Sequence, residues 1–129
     1  MKQTKARDIM VQNVVSVRPT DVLTDAIRLL LSHRISGLPV VDDNNNVLGC
    51  VTEHDIMNFA FSGEADVTQV NQAMTQPAFT FSPDTNIENI INSFAKHRIR
   101  RVIITEGDQL AGIVSRRDVL REMLALYTG

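Results

Sequence analysis

A chain of 129 residues has the length of one compact domain, enough to bury a core and too short for a large multidomain enzyme. Its composition, 43% hydrophobic and 22% charged, is that of an ordinary globular protein. Its apolar runs, such as Leu29-Leu30-Leu31 and Val102-Ile103-Ile104, reach at most five residues and fall far below the roughly 18 a membrane-spanning helix needs. Thirteen basic against fifteen acidic side chains leave a net charge of -2, which excludes an overall positive field holding the chain on nucleic acid or an acidic membrane.

The first ten residues lack the apolar stretch of a secretory signal, and the single cysteine, Cys50, has no internal partner, so a reducing cytoplasm is the expected compartment. Val15 and Val17 alternate with polar neighbours and predict a short strand. Pro19 follows, and Leu23, Ala26, Ile27 and Leu30 then recur at helical spacing. The β-branched runs starting at Leu38 and Val47, separated by Asp42-Asp43-Asn44-Asn45-Asn46, read as a hairpin. A second helix carrying Ile56, Phe59 and Ala60 on its apolar face closes the unit.

The same order then begins again. Phe79 and Phe81 alternate as a strand, Pro83 follows, and Ile87, Ile90, Ile91, Phe94 and Ala95 line a helix for which Thr85 and Glu88 form the expected capping box. A hairpin turns at Glu106-Gly107-Asp108, and Val119, Leu120, Met123 and Leu124 mark the apolar face of the last helix.

This recurrence is an internal repeat. A shift of 64 residues lays Pro19 on Pro83 and His33-Arg34-Ile35 on His97-Arg98-Ile99; after a one-residue deletion in the hairpin loop, Gly49, Val51 and Asp55 fall on Gly112, Val114 and Asp118, with Thr52 on Ser115. The chain is therefore two copies of one strand-helix-strand-strand-helix unit, residues 1–64 and 65–129. Each is near the size at which a lone core is marginal, so the two copies are expected to form one domain of mixed α/β (α+β) class.

Both copies end their last strand with glycine, two apolar residues, a hydroxyl, two further residues and aspartate: Gly49 to Asp55 and Gly112 to Asp118. Thr52 and Ser115 fit as N-caps, with Asp55 and Asp118 completing the cap and meeting the positive end of the helix dipole. The same geometry suits a ligand, because free N–H groups at a helix start attract an anion while a carboxylate one turn in accepts hydrogen bonds from hydroxyls. All seven basic residues of the second copy lie in two runs: Lys96, Arg98, Arg100 and Arg101, then Arg116, Arg117 and Arg121. Arg121 reads as part of a solvated helix face. Arg100 and Arg101 lead directly into the buried strand beside the hydroxyl-and-aspartate turn, where arginine suits bidentate phosphate recognition.

His33 and His97 occupy equivalent helix ends, which a dipole interaction explains without chemistry. His54 has no companion at metal-ligand spacing, so no metal site is read. The sequence also shows no Gly-rich phosphate loop, nucleophile elbow or CxxC pair to carry catalysis.

His33-Arg34-Ile35-Ser36-Gly37-Leu38-Pro39-Val40-Val41-Asp42, followed by the Gly49–Asp55 motif, resembles the cystathionine β-synthase (CBS) domain, and the second copy repeats the pattern from His97 and Gly112. The resemblance spans about Ala6 to Leu124 and implies a CBS pair, or Bateman module. In that fold each copy contributes a small three-stranded sheet and two helices, and the copies pack about a pseudo-twofold axis. Family members bind adenosine-containing ligands in two clefts, commonly AMP, ADP or ATP and sometimes S-adenosylmethionine or NAD, with no cofactor required.

Carried onto this chain, the resemblance implies that Asp118 holds the ribose hydroxyls with Ser115 contacting ribose or phosphate, that Arg100 and Arg101 meet phosphate, that Arg116 also belongs to the ligand-binding set, and that Met10, Val15, Ile35 and Ser36 lie against the base. The second cleft would use Asp55, Thr52 and His54, with Met74, Phe79 and Ile99 for the base. Ser36 and Gly37 stand where the second copy has Arg100 and Arg101, so the Asp55 cleft lacks own-copy phosphate ligands, for which His54 or an arginine from the other copy is the substitute. Ile103 replaces the family's usual proline, found here as Pro39.

The leading functional expectation is a non-catalytic sensor of an adenine nucleotide acting on a regulated protein. The alternative is a ligand-free module for dimerisation or protein interaction. Apolar surface on the last helix of each copy, notably Met57, Phe59 and Phe61 and then Met123, Leu124, Leu126 and Tyr127, predicts a homodimer.

Overall fold

The computed structural model describes residues 3–128. In chain order its elements are α1 (Ala6–Ile9), α2 (Leu23–His33), β1 (Gly37–Val41), β2 (Val47–Thr52), α3 (Glu53–Met57), β3 (Thr80–Phe81), α4 (Ile87–His97), β4 (Arg101–Glu106), β5 (Gln109–Ser115) and α5 (Arg116–Thr128), with a 3-10 turn at Val70–Gln72. No helix among the described residues is long and apolar enough to cross a membrane.

The compact units do not coincide with the sequence halves. One unit is Val15–Ala78; the other joins the residues up to Val14 to those from Phe79 onward. The arm preceding each repeat's first strand thus packs with the other repeat. Three backbone hydrogen bonds dock each arm in the same way. In the first-repeat unit Leu23 donates to Thr68 (2.9 Å), Val70 to Asp21 (2.7 Å) and Asn71 to Pro19 (3.0 Å); in the second-repeat unit Ile87 donates to Thr4, Ala6 to Thr85 and Arg7 to Pro83, each at 2.9 Å. Val70 and Ala6 are fully buried at equivalent places.

The first-repeat core gathers Val17, Leu23, Ala26, Leu30, Leu38, Val40, Val51, Ile56 and Val70. Ala6, Ile87, Ile90, Phe94, Val102, Ile104, Val114 and Val119 form the other. Apolar spacing on α2 and α4 supplies one wall of each core and the hairpin the other, as the period of the sequence demands. His-Arg-Ile, the longest identity between the copies, is a helix stop. Arg34 and Arg98 both adopt the left-handed conformation at φ 54°, and the amides of Ile35 and Ile99 close the helix on Leu30 and Phe94 at 3.1 and 3.3 Å.

Three local expectations are corrected. The strand expected at Val15–Val17 contracts to a single parallel bridge between Val17 and Val40, leaving β1 and β2 as a two-stranded antiparallel sheet, whereas β3, β4 and β5 form a three-stranded one. Pro39 explains the difference, because extending the ladder to Val15 needs the N–H that proline lacks. Ile103, at the equivalent position, donates that bond to the Phe79 carbonyl at 3.3 Å.

The cap of α4 is Asn86, whose side chain accepts from the Glu88 amide at 3.1 Å, rather than Thr85; the Thr85 amide is spent on a turn to Ser82. Finally, α3 ends at Met57. Phe59 and Ala60 follow in tight turns bonded back to Ile56 and Met57, so Phe59 still reaches the core edge while Ala60 is exposed. On α5 Val119 is buried, but Leu120, Met123 and Leu124 are 61%, 41% and 63% exposed.

Candidate functional site

Each unit carries one hydroxyl-carboxylate constellation where its last strand turns without a loop into a helix. In the first-repeat unit the Thr52 amide donates to Asp55 Oδ2 at 2.9 Å, the Thr52 hydroxyl to the same oxygen at 3.0 Å, and the Asp55 amide back to the hydroxyl at 3.3 Å. The helix start is thereby satisfied reciprocally, as a capping box requires. The arm completes the arrangement. Cys50 and Thr75 exchange backbone hydrogen bonds at 3.0 and 2.8 Å, which brings the Thr75 hydroxyl to donate to Asp55 Oδ1 at 3.1 Å.

Gly49 permits that approach, because a Cβ there would lie 2.4 Å from the Thr75 carbonyl oxygen.

The second-repeat unit repeats the cap with Ser115 and Asp118. The Ser115 amide and hydroxyl donate to Asp118 Oδ2 at 2.8 and 2.9 Å, and the Asp118 amide returns to the hydroxyl at 3.2 Å. Its arm docks in the same way, Val11 and Ile113 exchanging backbone bonds at 2.9 and 3.0 Å, and a Cβ on Gly112 would meet Met10 Sδ at 2.8 Å. Val11 stands where the other arm has Thr75 and has no hydroxyl to donate to the aspartate. Arg121 takes that place, donating to Asp118 Oδ1 at 2.9 Å.

Asp118 is 7% exposed. A buried carboxylate is tolerated because both its oxygens are hydrogen-bonded and a cation faces it.

Of the expected ligand set, the structure brings Asp118, Ser115, Arg100, Arg101, Arg116 and Met10 into the second-repeat unit, and Asp55, Thr52, His54 and Met74 into the first-repeat unit. Val15, Ile35 and Ser36, expected beside the base with Asp118, belong to the first-repeat unit; Phe79 and Ile99, expected with Asp55, belong to the second-repeat unit. Arg101 pairs with Ser115 across β4 and β5, and the Arg116 amide donates to the Arg100 carbonyl at 3.0 Å. Arg100, Arg101 and Arg116 therefore share the start of α5 with Arg117. The equivalent bond in the other unit, from Glu53 to Ser36 at 2.9 Å, carries no basic side chain at either end.

His54 sits exposed in the first turn of α3, and no group of three or more His, Cys, Asp or Glu able to hold a metal occurs among the described residues. His97 does more than end α4: its ring stacks on Phe79 with centroids 4.4 Å apart, and Phe79 in turn meets Phe81 at 5.6 Å. Two contributors escaped the sequence reading. Arg121, assigned to a solvated face, sits three residues after Asp118 on one helix, a spacing that pairs side chains. Thr75 carried no comparable signal, since its hydroxyl reaches Asp55 only through the docking of the arm.

Comparison with known proteins agrees with this architecture. The family model for the CBS domain matches residues 6–62 and 67–125. The chain is 29% identical over 118 residues to inosine-5'-monophosphate dehydrogenase of Methanocaldococcus jannaschii, a match covering 91% of this chain and 23% of that protein, so it spans about a quarter of that relative's length. It is 30% identical over 126 residues to an uncharacterized 17.7 kDa protein of Acidianus ambivalens, covering 97% of this chain and 76% of the other. Among solved structures, the AMP complex of CBSX2, a CBS-pair protein of Arabidopsis thaliana, superposes with a TM-score of 0.87 at 27% identity, covering 95% of this chain and 98% of that one.

Proposed function

The chain belongs to the CBS-domain family as a tandem pair, and from that premise we propose that it is a non-catalytic regulatory module that binds an adenosine-containing ligand, AMP, ADP or ATP in the first place. The observation that carries this reading is the second-repeat constellation: a buried, capped Asp118 with Ser115 beside it and Arg100, Arg101 and Arg116 at the same helix start. A carboxylate held in this way accepts hydrogen bonds from vicinal hydroxyls, and guanidinium groups next to a helix N-terminus accept phosphate. CBSX2, similar over nearly the whole chain, is known with AMP bound. In this reading Asp118 and Ser115 take the ribose, the three arginines the phosphate, and Met10 contributes on the side of the base. Asp55, Thr52, His54 and Met74 form a weaker counterpart.

A thermal-shift panel of AMP, ADP, ATP, S-adenosylmethionine and NADH identifies the ligand, because a molecule that binds only the folded state raises the melting temperature. Titration calorimetry with AMP and ATP then ranks the sites. Loss of one charge-assisted hydrogen bond costs about 1.5–3 kcal/mol, so Asp118→Ala and Arg101→Ala each weaken the tighter site by about tenfold or more, whereas Asp55→Ala leaves it nearly unchanged. The ranking fails if Asp55→Ala abolishes the tight phase and Asp118→Ala does not.

The exposed face of α5 favours association as a second role. Leu120, Met123, Leu124 and Tyr127 recur at helical spacing on α5 and are all exposed, an apolar stripe of the kind that marks an interface. In this reading the protein is a homodimer, and Leu124→Asp shifts it to monomer in sedimentation at micromolar concentration. A wild-type monomer, with and without nucleotide, refutes it.

A further inference from the structure

Within the two otherwise matching caps, the partner of the second carboxylate oxygen differs in charge. Asp55 Oδ1 is met by the neutral hydroxyl of Thr75 and Asp118 Oδ1 by the guanidinium of Arg121. The position equivalent to Arg121 is Asn58, an exposed residue at the end of α3.

In both caps Oδ2 already accepts two hydrogen bonds, which leaves Oδ1 with one lone pair for a ligand hydroxyl. Asp118 is nearly inaccessible, while the Arg121 side chain is 70% exposed, so the cation stands on the solvent side of the pair. Such an arrangement has opposite consequences for two kinds of ligand. A neutral nucleoside meets a carboxylate whose charge is already compensated, and gains little from it. A phosphorylated nucleoside brings its own negative charge towards a carboxylate, and the repulsion is removed only while the guanidinium stays in place.

We infer that Arg121 is the specificity-determining residue of the Asp118 site, selecting phosphorylated adenosine ligands over neutral ones by compensating the carboxylate that holds the ribose. The inference rests on the adenosine-ligand reading above and adds to it a residue that touches Asp118 rather than one expected to bind phosphate. Lysine substitutes in part, since it keeps the charge but loses the planar fork. Glutamine keeps a hydrogen bond and loses the charge.

The test is titration calorimetry of the full chain in an Asp55→Asn background, with AMP titrated directly and adenosine by displacement of AMP. Arg121→Gln is expected to weaken AMP by about tenfold while changing adenosine by less than about twofold, so that the preference for AMP falls by about fivefold or more. Arg121→Lys recovers most of that preference, which a mere defect in helix packing would not allow. A preference that falls by less than fivefold in Arg121→Gln overturns the inference, whether both affinities drop together or neither moves. Absence of binding of AMP, ADP and ATP alike to the Asp55→Asn parent overturns the adenosine-ligand reading itself, and this inference with it.

Discussion

The two units solve the same problem with the same backbone and different side chains. Thr52 with Asp55 and Ser115 with Asp118 make matching caps, and in each unit a foreign arm crosses the last strand at a glycine. Around that shared frame the charges diverge. One unit meets its aspartate with the hydroxyls of Thr52 and Thr75, and the other with the Ser115 hydroxyl and the Arg121 guanidinium. The comparison teaches that the repeat preserves what backbone geometry requires and varies what a ligand would feel. Caps, glycines and arm docking are constrained by backbone hydrogen bonds that have no alternative partner in a buried place, whereas the side chains at positions 58 and 121 are exposed and lie outside that constraint.

The largest effect that sharpens the comparison concerns the glycines. Gly49→Ala drives a Cβ to 2.4 Å from the Thr75 carbonyl oxygen, a backbone atom that cannot move aside, and should cost about 3 kcal/mol. Gly112→Ala first meets the flexible Met10 side chain at 2.8 Å and the Val11 carbonyl at 2.9 Å, so about 1–2 kcal/mol is expected. Urea denaturation of the two variants checks the order; equal costs would mean that the two arms approach their glycines equally closely.

The next effect breaks the difference between the sheets. Ile103→Pro deletes the bond to Phe79 and reproduces the first-repeat geometry, at a cost of about 0.5–1.5 kcal/mol for one hydrogen bond. Hydrogen exchange should quicken around Thr80–Phe81 while β4 and β5 remain protected. Slowed or unaltered exchange there would show that Pro39 is not what shortens the first strand.

The smallest effect lies in the hairpin turns. The second-repeat hairpin turns on Gly107 at φ 62°, whereas the first-repeat loop is organised by Asp42, whose Oδ1 accepts from the Asn44 and Asn46 amides at 2.9 Å each. Its carboxyl is held below the ordinary 3.8 first by the Asn46 amide, against an opposing contribution from burial, then by the Asn46 side chain, the Asn44 amide and Arg18. Because the folded pKa is depressed, the stabilisation is complete above the unfolded value and fades as pH falls through 3.8 towards the lower folded one. Asp42→Ala should therefore lower the denaturation midpoint slightly at neutral pH and lose its difference from wild type as pH drops below that range. A difference that persists in acid would assign the turn's stability to something other than the ionised carboxylate.

Much of this was legible in the residues. The apolar periods around Leu23 and Ile87 predicted α2 and α4, the β-branched runs predicted both hairpins, and the spacing from Thr52 to Asp55 and from Ser115 to Asp118 predicted the caps. Failures came where the deciding partner lay outside the pattern being read. Val15 looks like a strand residue by alternation, but its ladder depends on whether position 39 has an N–H. Thr85 looks like a cap, but the turn at Ser82–Thr85 uses its amide and passes the cap to Asn86.

What the sequence by itself determined is the repeat, the family and the identity of the capped aspartates, because these rest on short-range patterns that obey local hydrogen-bond geometry. Only the tertiary structure decided which residues surround those aspartates. The arms exchange between repeats, so Thr75 comes to Asp55, 20 positions away in sequence, and Met10 to Gly112. No local pattern encodes such an exchange, since it is selected by burial of Ala6 and Val70 against cores that exist only once the helices and sheets have assembled.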